Sequence, residues 1–373
     1  MKSLIKTTGL ALAAVLAVTA AHARDIRIAP AAPPAHPANG TMYTNFAAYL
    51  PQESGGSLTA TILGPEVVNL LQMKDALQSQ VAEVGNLLPL YFPADLPMMS
   101  VTGQLSLTSK SPHAMGAAMT EFIVNCAPCQ DEMKNLGFVY LGSGASDLYE
   151  FITTKPVKTA ADLQGLRLRS GGAPWARLAE NFGAVPVQMS VFDQFEAMNS
   201  GTIDGTMASV GDLLAFRLVE VAKHITKVPI GGYISTSNFT VSNVTWASLS
   251  QDDKDAMVRA ANRANADFTN RWGYEIPDIA EAAANEAGIE FIEADPALVS
   301  EIASFVEADI ETAGTYSQEQ FGISDAPAQI QEFLGLVSKW EAIAAEVNDD
   351  PKAMAERVYQ EVWSKVDTST YGS

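Results

Sequence analysis

The sequence predicts an α/β protein of two lobes, and three observations carry that prediction. Residues 159–205 read as strand, Gly-rich turn, helix, strand, helix. Of 373 residues, the 350 left after a 23-residue leader exceed what one hydrophobic core serves comfortably. Strand-like segments at 138–142 and 233–242 flank the α/β stretch, so the chain would cross out of the first lobe and back, forming a strand hinge.

The leader comes first. Lys2 and Lys6 precede an apolar run from Leu10 to Val18, and Ala21-His22-Ala23 supplies a small-x-small cleavage site. That run is shorter than the roughly 20 apolar residues of a membrane span, so residues 1–23 read as a cleaved signal peptide and the mature chain, starting at Arg24, as a periplasmic protein without direct membrane insertion. The first lobe then takes 24–145: a strand at 25–29, a helix at 42–53, a strand at 58–62, a helix ending near Gln78, and an apolar strand and loop at 81–90. Pro89, Pro93 and Pro97 break up the next segment. A helix at 112–136 leads to the crossing strand, and 146–234 form the second lobe.

Residues 235–275 bring the return strand and a long helix spanning both lobes. Ser250 and Asp253 have capping-box spacing, and Met257, Ala261, Ala264, Phe268 and Trp272 form an apolar stripe, read as core. Pro277 should kink or end this helix near Ile276. Residues 276–373 supply the remainder of the second lobe and C-terminal helices around Trp340 and Trp363, packing over the lobes.

The formal net charge of −20, or −22 without the two leader lysines, repels nucleic acid and anionic lipid. Cys126 and Cys129, a C-x-x-C pair after an apolar helix, suit a local disulfide in an oxidising compartment better than redox catalysis, for which the pair would open the first helix after a strand. His36, His113 and His224 are too scattered to suggest a metal site, and no nucleotide or calcium motif is present. Ser209 in Met207-Ala-Ser-Val-Gly211 lacks the first glycine of a nucleophile elbow. His36, among prolines, has no partner in view that would make it a base.

The chemistry points instead to Arg169. It ends the strand Gly165-Leu-Arg-Leu-Arg169, ahead of Ser170-Gly171-Gly172 and a helix opened by Pro174. Ligands of open α/β sheets lie at such strand ends, where helix N–H groups add positive potential. An arginine fork there suits a carboxylate; the competing reading is a solvated or ion-paired structural arginine.

The segments DLQGLRLR, FGAVPVQMS, AMNSGTIDG, VAKHITKVPIGGY, VSNVTWASLSQDDKDAM and KVDTSTYG, in this order, resemble the extracytoplasmic solute receptors of tripartite ATP-independent periplasmic (TRAP) transporters. The resemblance implies the two-lobed periplasmic binding protein fold and a small organic acid held between the lobes. It implies delivery of that acid to membrane permease subunits, with neither enzyme activity nor cofactor. It places Arg169 at the carboxylate clamp and Arg167 at a basic position that bears no ligand. Around Arg169 it assigns His36 in the first loop, Asn86, and Tyr91, Trp175, Phe192 and Tyr233 as an apolar wall, for which core packing is the alternative. An asparagine common in the family is replaced by Ala208 beside Ser209, and a second arginine by the region of Ser146 and Asp147, so hydroxyls, with Ser146 and Ser209 as candidates, or backbone N–H groups would share the acid group with Arg169. These departures weigh against sialic acid, and a single arginine favours a monocarboxylate. A monomer is expected, with a dimer contact through the tail as the alternative. A receptor for an ATP-driven importer and a periplasmic enzyme are the competing functions.

Overall fold

A computed structural model of the chain describes residues 23–372, so the leader expected over residues 1–23 lies outside them but for its last residue. The chain opens with strand β1 (Arg24–Ala29), whose alternation buries Ile26 and Ile28. It continues through β2 (Leu58–Ile62), β3 (Val84–Leu87) and β4 (Phe138–Tyr140), then crosses on β5 (Gly144–Leu148). The second lobe contributes β6 (Glu150–Thr153), β7 (Arg167–Ser170), β8 (Val185–Gln188), β9 (Gly205–Ala208) and β10 (His224–Lys227). β11 (Gly232–Ser235) returns, β12 (Ser237–Ser242) comes next, and β13 (Glu290–Glu293) is added late.

Two sheets result. The first has the order β2-β1-β3-β12-β4, with β12 antiparallel to both neighbours; the second has the order β13-β10-β6-β9-β7-β8. β5 and β11 pair antiparallel as a two-stranded ribbon between them, which is the strand hinge; the strand expected to cross at 138–142 stays in the first sheet as β4, and the return expected at 233–242 divides into β11 and β12. The register of β11 slips between Gly232 and Ile234, and there the Ser146 hydroxyl accepts the Tyr233 N–H at 2.9 Å in place of a backbone carbonyl. Gly231 begins the return with φ +75°, and a Cβ on it would sit 2.3 Å from the backbone of Leu107.

The long helix opens at Gln251–Asn270, capped by Ser250, whose hydroxyl accepts the Asp253 N–H at 3.2 Å. Pro277 does not end it. The helix widens into a π turn over Arg271–Glu275 and resumes as Ile276–Glu286. Pro277 has no N–H to donate and crowds the carbonyl one turn back, and the wider turn accommodates both defects. The first half packs through Met257, Ala261 and Phe268 into the larger core, while Ala280 and Ala284 of the second half join the core of the second lobe. One bent helix therefore spans both lobes.

One helix differs from expectation. The helix expected at 112–136 is two helices, Pro112–Asn125 and Ala127–Leu136, broken at Cys126. Pro128 opens the second in the first-turn position where its missing N–H costs nothing, and the Cys126 sulfur accepts the Cys129 N–H. The two cysteines are joined as a disulfide at that helix start. The tail has the two expected helical segments separated near residues 347–350: Trp340 lies in Ala326–Glu346, and Trp363 opens a short 3-10 helix, Trp363–Lys365, directly after Pro351–Glu361; another helix, Pro296–Phe321, precedes them. Trp340 Nε1 and Lys339 Nζ both reach the Glu121 carboxylate, fastening Ala326–Glu346 to Pro112–Asn125. Among the described residues no helix is long and apolar enough to cross a membrane.

Candidate functional site

Arg169 is 2 % exposed at the carboxyl end of β7. Its Nε donates to the Met189 carbonyl at 3.3 Å and one Nη to the Tyr91 hydroxyl at 3.4 Å, both long contacts. Among the described residues it forms no salt bridge, whereas the two neighbouring arginines do. Arg167 clasps Asp204 with Nε at 2.9 Å and Nη2 at 3.0 Å, and this guanidinium holds the Asp204 carboxyl well below its usual range. Arg177, on the helix Ala173–Asn181 beyond the glycines, grips Asp309 through two bonds of 2.7 Å and also reaches Gln104 of the first lobe.

Tyr91 separates two spaces. The inner cavity leaves about 50 Å3 for the centres of water molecules, and residues of both lobes and of the long helix line it. The outer one, about 350 Å3, is bordered by Gly171, Gly172 and Ala173 at the start of the helix after β7. A wider groove of about 450 Å3 lies elsewhere, between Tyr49 and residues 351–360; its Arg259 and Arg263 are both committed to Glu53.

Of the residues assigned from sequence, His36, Asn86, Tyr91, Phe192 and Tyr233 line the inner cavity, and Arg169 touches it through Tyr91. Trp175 lies one layer back, fully buried and stacked between Tyr149 and Tyr233 at 5.2 and 5.7 Å. Ser146 and Ser209 do not line the cavity. Ser146 serves the β11 bulge, and Ser209 accepts the Gly211 N–H and steadies Asp147. Tyr149, Asp212, Phe216, Ser235 and Trp272 also line it and escaped sequence reasoning. Trp272 was legible only as part of an apolar stripe, and Asp212 comes after Gly211 in what reads as an ordinary helix start.

The cavity is aromatic. His36 packs against Trp272 at 5.2 Å and Phe216 at 5.6 Å, Phe192 meets Phe216 edge-on, and Tyr233 faces Trp272. Burial lowers His36 to about 4, so its ring is neutral at pH 7, with Nδ1 accepting the Ala38 N–H. Burial raises the Tyr149 and Tyr233 phenols well above their ordinary value, so both remain protonated. Asp212, 2 % exposed, is pushed up to about 6 by burial, with the nearby Arg169 charge and a Gln194 hydrogen bond opposing. Asp147 behind it is raised further by burial. The result is a small apolar cleft with one buried cation at its edge.

A family model described as bacterial extracellular solute-binding protein, family 7, matches residues 28–313. The chain belongs to that family. Among solved structures, this family 7 protein superposes on a marine metagenome TRAP solute binding protein in complex with 3-hydroxybenzoate, with TM-score 0.76 and 19 % identity, covering 85 % of this chain and 99 % of that one. It superposes equally on a Rhodoferax ferrireducens TRAP protein with copurified benzoate (TM-score 0.76, 18 % identity, 86 % and 99 % covered) and less closely on one from Bordetella bronchiseptica with bound mandelate (TM-score 0.69, 23 % identity, 84 % and 99 % covered). These likenesses establish the two-lobed receptor fold. Among curated sequences, a solute-binding protein of Chromohalobacter salexigens is 26 % identical over 180 residues, 47 % of this chain and 52 % of that protein. One of Albidiferax ferrireducens is 29 % identical over 105 residues, 28 % of this chain and 31 % of that protein. The matches thus span about a third to a half of the curated relatives' length.

Proposed function

We propose that this family 7 protein is a periplasmic receptor that captures a small organic acid between its lobes and delivers it to the membrane permease of a TRAP transporter, without chemistry of its own. One observation carries the reading: Arg169 is a buried arginine with no salt bridge among the described residues, at the edge of an aromatic cavity between the lobes. A buried guanidinium left with two long contacts has hydrogen-bond donors unmet, and a carboxylate matches its fork. The aromatic lining suits an acid with an apolar body. Benzoate, hydroxybenzoate and mandelate, bound by the structural relatives, are acids of that kind.

Tyr91 and His36 from the first lobe and Phe192 from the second line one volume, which Arg169 reaches through Tyr91, so a ligand there bridges the lobes. Closure is then favoured by as much as the ligand prefers the closed form. The test is a thermal-shift screen of refolded, ligand-free protein with carboxylates and neutral osmolytes. A carboxylate at about 100 times its dissociation constant should add about 2.7 kcal/mol of stability, and Arg169→Gln should lose that response. Equal shifts in wild type and variant would remove the clamp from the reading.

A further inference from the structure

The cavity carries more acceptor chemistry than a plain carboxylate requires. Asp212 lines it, with one carboxylate oxygen held by Gln194 Nε2 at 3.3 Å, and the Gln194 amide is itself oriented by the Thr206 hydroxyl at 3.1 Å. Asn86, only 5 % exposed, also lines it, and its Oδ1 has no hydrogen-bond partner. None of the described residues lining the cavity is lysine or arginine, and Arg169 reaches it through the Tyr91 hydroxyl.

Charge can be counted from these groups. Around Asp212 stand Arg169 from β7, the neutral Gln194 amide, Asp147 from β5, Tyr149 and Tyr233 as phenols, and Tyr91 and His36 from the first lobe, the last uncharged. Glu150 bears on Asp147 from behind. Arg169 and Asp212 balance. A simple carboxylate would therefore leave one buried negative charge uncompensated, which low-dielectric surroundings penalise heavily. An acid that also carries a cation leaves none, meets the free acceptors of Asp212 and Asn86, and presents its positive charge to aromatic rings.

We propose that Asp212 is a specificity-determining residue that selects, among small carboxylates, those bearing an ammonium group, so that the ligand is a compact zwitterion. The assignment rests on the carboxylate reading of Arg169 and is tested separately from it. Calorimetric titration of the ligand-free full mature chain would use isosteric pairs in which a cationic nitrogen replaces a neutral carbon: glycine betaine against 3,3-dimethylbutyrate, and pipecolate against cyclohexanecarboxylate. Wild type is expected to bind the ammonium member about tenfold or more tightly in at least one pair, and Asp212→Asn to lose most of that preference. A second readout needs no variant. In two buffers of different ionisation enthalpy at pH 7, the neutral-carbon acid should take up roughly half to one proton per site as Asp212 protonates beside the new charge, and the zwitterion close to none.

Equal affinity within both pairs, a preference for the carbon member, a preference that survives in Asp212→Asn, equal proton uptake by both members, or no binding of any of the four overturns the proposal. Arg169→Gln tests the other reading. If it binds both members as wild type does, the carboxylate clamp fails while the preference governed by Asp212 is still measured.

Discussion

One ion pair ties the helix after β7 to the helix Pro296–Phe321, and removing it should be expensive. Arg177 donates to both Asp309 oxygens at 2.7 Å, with side chains 13 % and 5 % exposed, and spends its remaining donors on the Gln104 side chain at 2.9 Å and carbonyl at 3.4 Å. Asp309→Ala leaves a buried guanidinium with neutral partners only. Loss of one member of a buried pair costs about 3–5 kcal/mol, and the slight exposure of Arg177 together with its surviving Gln104 contacts places this case near the lower end. Across a chain of this length, about 3 kcal/mol is roughly 4 °C of melting temperature, readable by calorimetry. The double variant Arg177→Met with Asp309→Leu should recover most of the loss, because no charge is then stranded. A single-variant cost under about 1 kcal/mol, or a double variant as unstable as the two single losses added, would refute the reasoning.

Glu150 is raised to about 7, chiefly by burial, and its Oε2 has no hydrogen-bond partner. Between pH 4.5 and 7 the native state keeps a proton that the unfolded chain has released, so stability falls as pH rises through that window. Glu150→Gln should remove the fall and leave the protein more stable at pH 8, on the order of 2–3 kcal/mol by chemical denaturation, with little change at pH 4. Asp204, depressed by Arg167, acts in the opposite direction: its contribution is present above the unfolded value and is lost as pH falls through the lower folded one, so Asp204→Asn should flatten the acid limb of a pH–stability curve. Cys126→Ser with Cys129→Ser opens a very small loop, and the loss should not exceed about 2 kcal/mol in urea titration.

Much of the fold was legible because period-two and helical patterns are local. β2 falls on its expected bounds and β1 within one residue of them, since alternation and flanking turns mark both. The break at Cys126 was missed because apolar spacing continues across it, although Pro128 marks a fresh helix start. The π turn before Pro277 was missed for a different reason: a proline announces a defect without saying how the backbone absorbs it. Within the site, Arg169 was legible because strand, glycines and helix surround it in sequence. Asp212 was not, because its significance depends on Arg169, Gln194 and Asn86, which only the folded lobes bring near it. Trp272 shows the limit of patterning: the same stripe that makes a core also walls the cavity where the long helix passes it.

Because the chain crosses on β5 and returns on β11, the order in which the two lobes can be completed is constrained. β3 and β4 are neighbours of β12, not of each other, so the first sheet has a gap until residue 242 has emerged. The second sheet waits longer still for its edge strand at Glu290–Glu293. A nascent chain stalled anywhere between residues 140 and 237 thus holds two unjoined pieces of sheet with open edges, the condition in which chains pair with the wrong partner. Whatever keeps this chain unfolded until it is fully released would serve its yield more than any gain in native-state stability.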